Sequence, residues 1–218
     1  MIKRKNILKV AIDSPAAAGA GTLAKSISKH YNLLYVDTGK IYRYIAFLKM
    51  KHPKKYCYKF IERKIKNLKL KDLERKILSN DDIGTMASII AKDKKVRKLV
   101  HNFQISCAYR FPKKFNGSCL DGRDITYRII PDANFKFFIT ASLKVRAIRR
   151  YRELRKLGKK TTLKDVKKSI KIRDYSDYNR RISPLKRTKD SILINTSNLT
   201  KSACFLKIKN IIEKETKN

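Results

Sequence analysis

Histidine and cysteine are scarce in this chain of 218 residues, and neither is arranged to hold a metal. The 3 histidines (His30, His52, His101) stand alone. The 4 cysteines (Cys57, Cys107, Cys119, Cys204) form no Cys-x-x-Cys pair and have no histidine at ligand spacing. That excludes zinc modules and leaves reduced thiols in a cytoplasmic protein as the expectation. Long hydrophobic runs are missing too. The apolar stretch after the basic start of the chain is broken by Lys9 and ends at Asp13, too short for a signal-peptide core, and no other run is long enough to span a bilayer. There are no repeats and no low-complexity linker, so one domain over 1–218 is expected. Acidic residues are few: 18 Asp+Glu against 55 Lys+Arg, a formal net charge of +37. A field of that size favours anionic partners. The lysines are scattered from Lys3 to Lys217, as in a chain that carries lysine on every exposed face. The charge therefore does not choose between a phosphate compound and nucleic acid. No signature of an RNA- or DNA-binding module accompanies it, which argues against specific nucleic-acid recognition.

What is present is an alternation of short apolar runs and helical spacings, with 42% hydrophobic residues to build a core. Strands are expected at 7–12, 33–36, 118–120, 135–140 and 192–194. Helices are expected at 22–30, from Thr38 through Ile41, Ile45 and Leu48 to Pro53, over 83–109 in two pieces broken near Asp93, and over 143–157, 162–172 and 201–212. Thr38 is a candidate helix cap and Gly158 a helix stop. The Lys-rich stretch at about 56–80 reads as a small insert of helices or short strands, and 213–218 as a frayed end. Strands alternating with helices argue for an α/β fold with a parallel sheet flanked by helices. In such sheets ligands bind beyond the carboxyl ends of the strands.

The first strand runs into Ser14-Pro15-Ala16-Ala17-Ala18-Gly19-Ala20-Gly21-Thr22. Between a strand and a helix, this is the setting of a phosphate-binding P-loop, Gly-x-x-x-x-Gly-Lys-[Ser/Thr], whose backbone N–H groups cradle phosphates. Gly19 and Thr22 stand in place, but Ala20 occupies the lysine position. Taken alone, the segment is equally a small-residue turn with no ligand.

Four segments further on carry a more specific signal: Val36-Asp37-Thr38-Gly39-Lys40-Ile41-Tyr42-Arg43; Ile83-Gly84-Thr85-Met86-Ala87-Ser88 with Val96-Arg97; Asp121-Gly122-Arg123-Asp124-Ile125 with Pro131-Asp132-Ala133; and Arg173-Asp174-Tyr175-Ser176-Asp177-Tyr178-Asn179-Arg180 with Ser183-Pro184-Leu185. Together with the Asn195-Thr196-Ser197 turn, they resemble the bacterial cytidylate kinase family over nearly the whole chain. The resemblance implies the P-loop nucleoside monophosphate kinase fold, with a small insert on the acceptor-nucleotide side and a helical lid at about 144–175. It implies transfer of the γ-phosphoryl group of ATP, with Mg²⁺, to CMP or dCMP, in a monomer.

The resemblance also distributes roles. Arg43, Arg123 and Arg180 would grip the acceptor's phosphate, as guanidinium forks suit a small dianion. Ser88, Arg97 and Asp124 would read the cytosine edge, Arg173 and Asp177 would hold the ribose, and Thr38 would lie near the acceptor nucleotide. Thr22 and Asp121 would help order Mg²⁺, Asp121 through water, and Asp13 shares that strand-end position. One of the lid arginines Arg146, Arg149, Arg150 and Arg152 would cover the transferring group. Compared with the family, Ser14 and Ala17 replace glycines as well. With the lysine missing, weak ATP binding and slow transfer are expected, since one preorganised charged donor is worth roughly 10²–10³ in rate. Lys40 is the residue expected to replace the lost charge in part, and Lys25 is expected to lie out of line. A CMP-binding protein without catalysis stays open as the alternative.

Overall fold

The computed structural model describes residues 7–216. The basic start of the chain (1–6) and residues 217–218 lie outside the described residues. Five parallel strands form one sheet in the order β2–β3–β1–β4–β5: β1 (Leu8–Asp13), β2 (Leu34–Asp37), β3 (Gly117–Gly122), β4 (Phe135–Thr140) and β5 (Ile192–Asn195). The helices are α1 (Ala20–Tyr31), α2 (Thr38–Lys51), α3 (Tyr58–Lys66), α4 (Asp81–Ile90), α5 (Lys94–Tyr109), α6 (Leu143–Lys156), α7 (Leu163–Asn179) and α8 (Lys201–Thr216). This is the expected α/β architecture, a parallel sheet flanked by helices.

Both faces of the sheet are covered, as a parallel sheet requires. Alternation along β1 sends Val10 and Ile12 to one side and Ala11 to the other. Val10 and Ile12 pack with Leu23 and Ile27 of α1, Phe137 of β4 and Ile208 of α8. Ala11 packs with Ile41 and Ile45 of α2 and Val100 of α5. Ile12 and Phe137 are wholly buried, and truncating either to Ala costs about 2–5 kcal/mol. A third, smaller apolar cluster joins Ala16 of the loop after β1 to Ala147 and Leu154 of α6 and Val166 and Ile170 of α7.

The break between α4 and α5 falls at Asp93, whose carboxylate caps α5 by accepting from the N–H groups of Lys95 and Val96. Segment 56–80 is helical throughout its ordered parts, with α3 followed by two short 3-10 turns, so no strand forms there. Three boundaries differ from expectation. Thr38 does not cap α2: the Asp37 side chain does, accepting from Lys40 N–H, because a carboxylate one residue earlier already reaches the free donors. Helix α7 runs on to Asn179, well past 172, since Asp177 and Val166 anchor the same helix at both ends. Helix α8 continues through Thr216, so 213–216 is helix rather than a loose end. Gly158, with φ +73, follows the end of α6 as expected.

Candidate functional site

The strand β1 delivers the chain into the loop of Ser14 to Gly19, where two residues adopt left-handed backbone. Gly19 has φ +91 and Ala17 φ +59. Gly19 tolerates this freely, whereas a Cβ at such an angle costs about 1–2 kcal/mol. Helix α1 starts at Ala20 with no side-chain cap. Its first N–H groups are thus open to an anion. The loop bounds a cavity of about 350 Å³, completed by Lys25, Tyr35, Asp37, Gly39, Arg43, Asp121, Gly122, Arg123 and Arg173. Ala20 is buried, 4% exposed, and offers a methyl group there. Lys40 does not line this cavity and Lys25 does, the reverse of expectation. The cause is the start of α2. Asp37 holds the Lys40 N–H, and Asp37 and Gly39 are the residues of that turn that face the cavity.

Three carboxylates stand at strand ends on this edge, Asp13, Asp37 and Asp121, and Asp13 and Asp121 differ. Asp13 is buried with both oxygens engaged: Oδ1 accepts from Ile125 N–H at 2.8 Å, Oδ2 from Thr126 N–H at 2.9 Å and from the Thr126 hydroxyl at 2.6 Å. Burial pushes its pKa up to about 6, against the pull of those bonds. It braces the one-turn π-helix at Ile125–Ile129 and, unlike Asp121, does not line the loop cavity. Asp121 lines the loop cavity, and its Oδ1 accepts from the Tyr35 hydroxyl at 3.1 Å. Burial, then the neighbouring Asp37, raise its pKa well above the ordinary carboxylate value. Asp37 and Asp121, on neighbouring strands, both line the loop cavity, a place where a cation would be welcome.

A second, smaller cavity of about 60 Å³ adjoins the first, sharing Gly39, Gly122, Arg123 and Arg173 with it. Its wall brings together Thr38, Tyr42, Ser88, Arg97, Arg123, Asp124, Arg173, Asp177 and Arg180 from α2, α4, α5, the end of β3 and α7. Thr38 is held there by donating its hydroxyl to Asp121 C=O at 2.8 Å. Arg97 and Asp124 form a buried pair, Nη1 to Oδ2 3.0 Å, with Arg97 Nε donating to Ala91 C=O at 2.6 Å. The Arg97 guanidinium also lies 5.4 Å from the Tyr42 ring centre. Arg123 Nε donates to Asp177 Oδ2 at 2.7 Å, and Arg180 Nε to Ser183 C=O at 2.5 Å. Burial would raise the Asp177 pKa, but Arg123 and Arg173 beside it hold it below the usual value. Arg43 lines the loop cavity and the open cleft between α4 and α7, but not this smaller cavity. Its Nη1 is tied to the carbonyls of Leu78 and Asn80 at 2.9 and 2.8 Å. A Cβ at position 84 would sit 2.6 Å from Arg43 Nη2, which explains the glycine in that motif.

Of the arginines on α6, three already have protein partners. Arg146 is buried and donates to Ala141 C=O and Ala16 C=O, both at 2.9 Å, and to Asp174 at 2.6 Å. Arg149 donates to the hydroxyl and the carbonyl of Thr196 at 2.8 and 2.6 Å. Arg150 bridges to Asp81 on α4 and to Glu153. Arg152 is exposed. Arg146 is thus a fixed strut under the loop rather than a side chain free to reach in. Neither it nor its partner Asp174 stood out as a support in the sequence. The Arg-Asp-Tyr-Ser-Asp string holding Asp174 was the available signal.

Residues 10–214 match the family model described as cytidylate kinase. A cytidylate kinase of Clostridium botulinum (strain Okra / Type B1) is 38% identical over 95% of this chain and 99% of its own. One of Bartonella tribocorum (strain CIP 105476 / IBS 506) is 37% identical over 90% of each chain, and one of Mesomycoplasma hyopneumoniae (strain 232) is 34% identical over 94% of this chain and 93% of its own. The chain belongs to the cytidylate kinase family. Its backbone is also similar to that of an uncharacterized protein from Eubacterium ventriosum ATCC 27560, with TM-score 0.53, 16% identity, and coverage of 94% and 98%, a likeness of fold alone.

For a cytidylate kinase family member, the arrangement has one unusual feature. The pocket beside the loop is densely lined with guanidinium groups, while the loop itself contributes backbone donors and a methyl group where its motif calls for an ammonium. Among the described residues no helix is long and apolar enough to cross a membrane, and no group of three or more His, Cys, Asp or Glu is placed to hold a metal.

Proposed function

We propose that this protein transfers the γ-phosphoryl group of ATP to CMP or dCMP, giving ADP and the corresponding diphosphate, at a rate lowered by Ala20. The observation that carries this is the continuity of the two cavities through Arg123 and Arg173: one lined by nine loop residues, the other by the Arg97–Asp124 pair and Arg180. The acceptor's phosphate has Arg123, Arg180 and Arg43 around it. The buried Nη2 of Arg180 meets no partner among the described residues, as expected of a donor reserved for a ligand. The Asp124 carboxylate can accept from the exocyclic amine of cytosine, with Arg97 and Ser88 as donors to the ring acceptors. Asp177, with Arg173, takes the ribose hydroxyls.

The loop from Ser14 to Thr22 receives the triphosphate of ATP through its N–H groups. Mg²⁺ fits the exposed Thr22 and the Asp121 carboxylate, which line the same loop cavity. Bound there, Mg²⁺ would neutralise charge on the phosphate oxygens. The oxygen of the acceptor phosphate attacks the γ-phosphorus in line, and ADP leaves. The protein's part is to align the two anions and to supply positive charge as the bond changes hands. In this reading 56–80 is the acceptor-side insert of a single domain, 144–175 the lid, and the protein a cytoplasmic monomer; size-exclusion chromatography with light scattering checks the last point.

A specific observation favours a second reading. The Ala20 methyl is buried in the wall where the loop motif needs a lysine, so a protein that binds CMP but not ATP is also consistent with the site. A coupled ADP-release assay with CMP, dCMP, UMP and AMP as acceptors separates the two. ADP release with CMP and dCMP above the other acceptors supports the kinase. CMP binding by calorimetry with neither ATP binding nor ADP release supports the second reading.

A further inference from the structure

Among the described residues, three other than glycine adopt left-handed backbone: Ala17, Asn32 and Ser183. Ala17 belongs to the loop after β1, and Asn32 closes α1, where asparagine is at home. Ser183, with φ +52, stands in the turn after α7 and precedes Pro184, whose ring favours extended backbone in the residue before it. Its hydroxyl is buried and finds no partner among the described residues. A strained angle and an unpaired buried hydroxyl both cost stability. The hydrogen bond that Ser183 does make runs from its carbonyl, which accepts from Arg180 Nε at 2.5 Å. The turn is pinned from outside. Leu185, itself buried, donates its N–H to Asp177 C=O at 2.7 Å, and the Tyr127 hydroxyl donates to Pro184 C=O at 2.6 Å.

Resting on the reading of the acceptor site above, we propose that Ser183 is a positioning residue for the acceptor phosphate: its strained backbone aims the carbonyl at Arg180 Nε and so keeps Arg180 Nη2 for the phosphate. A guanidinium is planar and rigid, so two anchored nitrogens fix where the third points. The other anchor is weak: Arg180 Nη1 lies 3.4 Å from Asp177 Oδ1, beyond the usual range of such a bond. The Ser183 carbonyl is therefore the main hold on the fork. Nη2 is left without a partner among the described residues, on a side chain that lines the acceptor cavity. Ser183 lines neither that cavity nor the loop cavity, so it acts through Arg180. Were Ser183 to relax to the extended backbone preferred before proline, its carbonyl would turn away from Nε and the fork would be free to swing. The strain is the cost of an arginine set in place before the anion arrives.

The test compares CMP with cytidine, which lacks the phosphate, by calorimetry on the full chain. Ser183→Gly keeps the left-handed angle without strain, so it should hold CMP within about threefold of the wild type and melt no lower. Ser183→Val is β-branched and cannot keep the angle. It should weaken CMP by roughly 10–100-fold, the worth of a misplaced charged hydrogen bond, and leave cytidine unchanged. In an Arg180→Met background the same change should cost nothing further. Tyr127→Phe removes the pin on Pro184 and should weaken CMP selectively by about 3–10-fold, which carries the comparison if Ser183→Val does not fold. Equal losses for CMP and cytidine, a loss that persists without Arg180, or a Ser183→Gly protein that loses CMP as Ser183→Val does would overturn the proposal. A lower melting temperature for Ser183→Gly would overturn it too, since no strain would then be stored there. A wild type that binds CMP no tighter than cytidine sinks the acceptor-phosphate reading, and this proposal with it. A wild type that binds CMP tightly yet releases no ADP sinks the kinase reading alone, and the CMP-to-cytidine ratio still decides the role of Ser183.

Discussion

The Asp174 carboxylate accepts a hydrogen bond from the backbone N–H of Ala16 at 3.0 Å, tying the middle of α7 to a loop residue 158 positions earlier in the chain. Arg146 grips the same residue through Ala16 C=O, in the next peptide group, and closes the figure with its bond to Asp174. The loop's shape is thus held by the two helices of the lid region, not by the loop's own sequence.

Breaking this clamp should cost stability. Arg146→Met leaves Asp174 and two carbonyls without their buried partner, and removal of one member of a buried pair costs about 3–5 kcal/mol. Urea unfolding measures it. A double-mutant cycle with Asp174→Asn should return a coupling of at least about 1 kcal/mol, since the residues touch. A loss below about 0.5 kcal/mol for Arg146→Met would mean the strut bears nothing.

Ala17 presents two opposed effects of similar size. At φ +59 its Cβ costs about 1–2 kcal/mol, which glycine would recover. Glycine also loosens the unfolded chain by about 0.4–1 kcal/mol. Ala17→Gly should therefore raise stability by between about 0 and 1.6 kcal/mol in urea unfolding. A destabilisation would show that the backbone angle carries no strain.

Supplying the missing charge should accelerate the reaction. Ala20→Lys places an ammonium in the loop cavity and should raise kcat/KM for ATP by roughly 10²-fold in the ADP-release assay. Lys40→Ala should leave the rate unchanged, because Lys40 does not line that cavity. A rate drop in Lys40→Ala would reinstate it as a phosphate-binding group.

Asp13 makes the fold pH-dependent in a direction that can be worked out. Its carboxyl titrates near pH 6 when folded and near about 3.9 when unfolded, so the native state holds the proton more tightly. Its contribution is fully present below about pH 4 and is lost as pH rises through about 6, a change on the order of 3 kcal/mol. Other carboxylates have their own slopes, so the comparison is with Asp13→Asn, which cannot ionise. The stability difference, wild type minus variant, should shrink or reverse between pH 4 and pH 7. A pH-independent difference would put the Asp13 pKa back in the ordinary range.

The parallel sheet was legible because its apolar runs are short, local and separated by helical spacing, and the family because its motifs are contiguous strings. The contacts among those strings were less legible. Local pattern says nothing of which residue of a helix turn faces a cavity, so Lys40 was favoured over Lys25. Nor does it say that Arg146 and Asp174 meet under Ala16, or that Asp13 spends both oxygens on the turn at Ile125 and Thr126. These are distances between elements far apart in the chain, set by how α6 and α7 pack on the loop through Ala16, Ala147 and Val166.

The Arg97–Asp124 pair should decide which base is accepted. Both residues are about 5% exposed, and Arg97 uses only one oxygen of the carboxylate. The other oxygen can accept from the cytosine amine, whereas uracil presents a carbonyl there and meets repulsion. Asp124→Asn removes the charge but keeps the shape, and its amide can turn to offer either oxygen or N–H. The change should lower the CMP-to-UMP ratio of kcat/KM by about 10–100-fold, through a gain for UMP as well as a loss for CMP. It also leaves Arg97 without its counter-ion, so stability must be measured alongside, and a general fall in activity with both acceptors is corrected by taking the ratio. An unchanged ratio would mean that the base is read elsewhere, and Asp124 would then serve only to hold Arg97 in place.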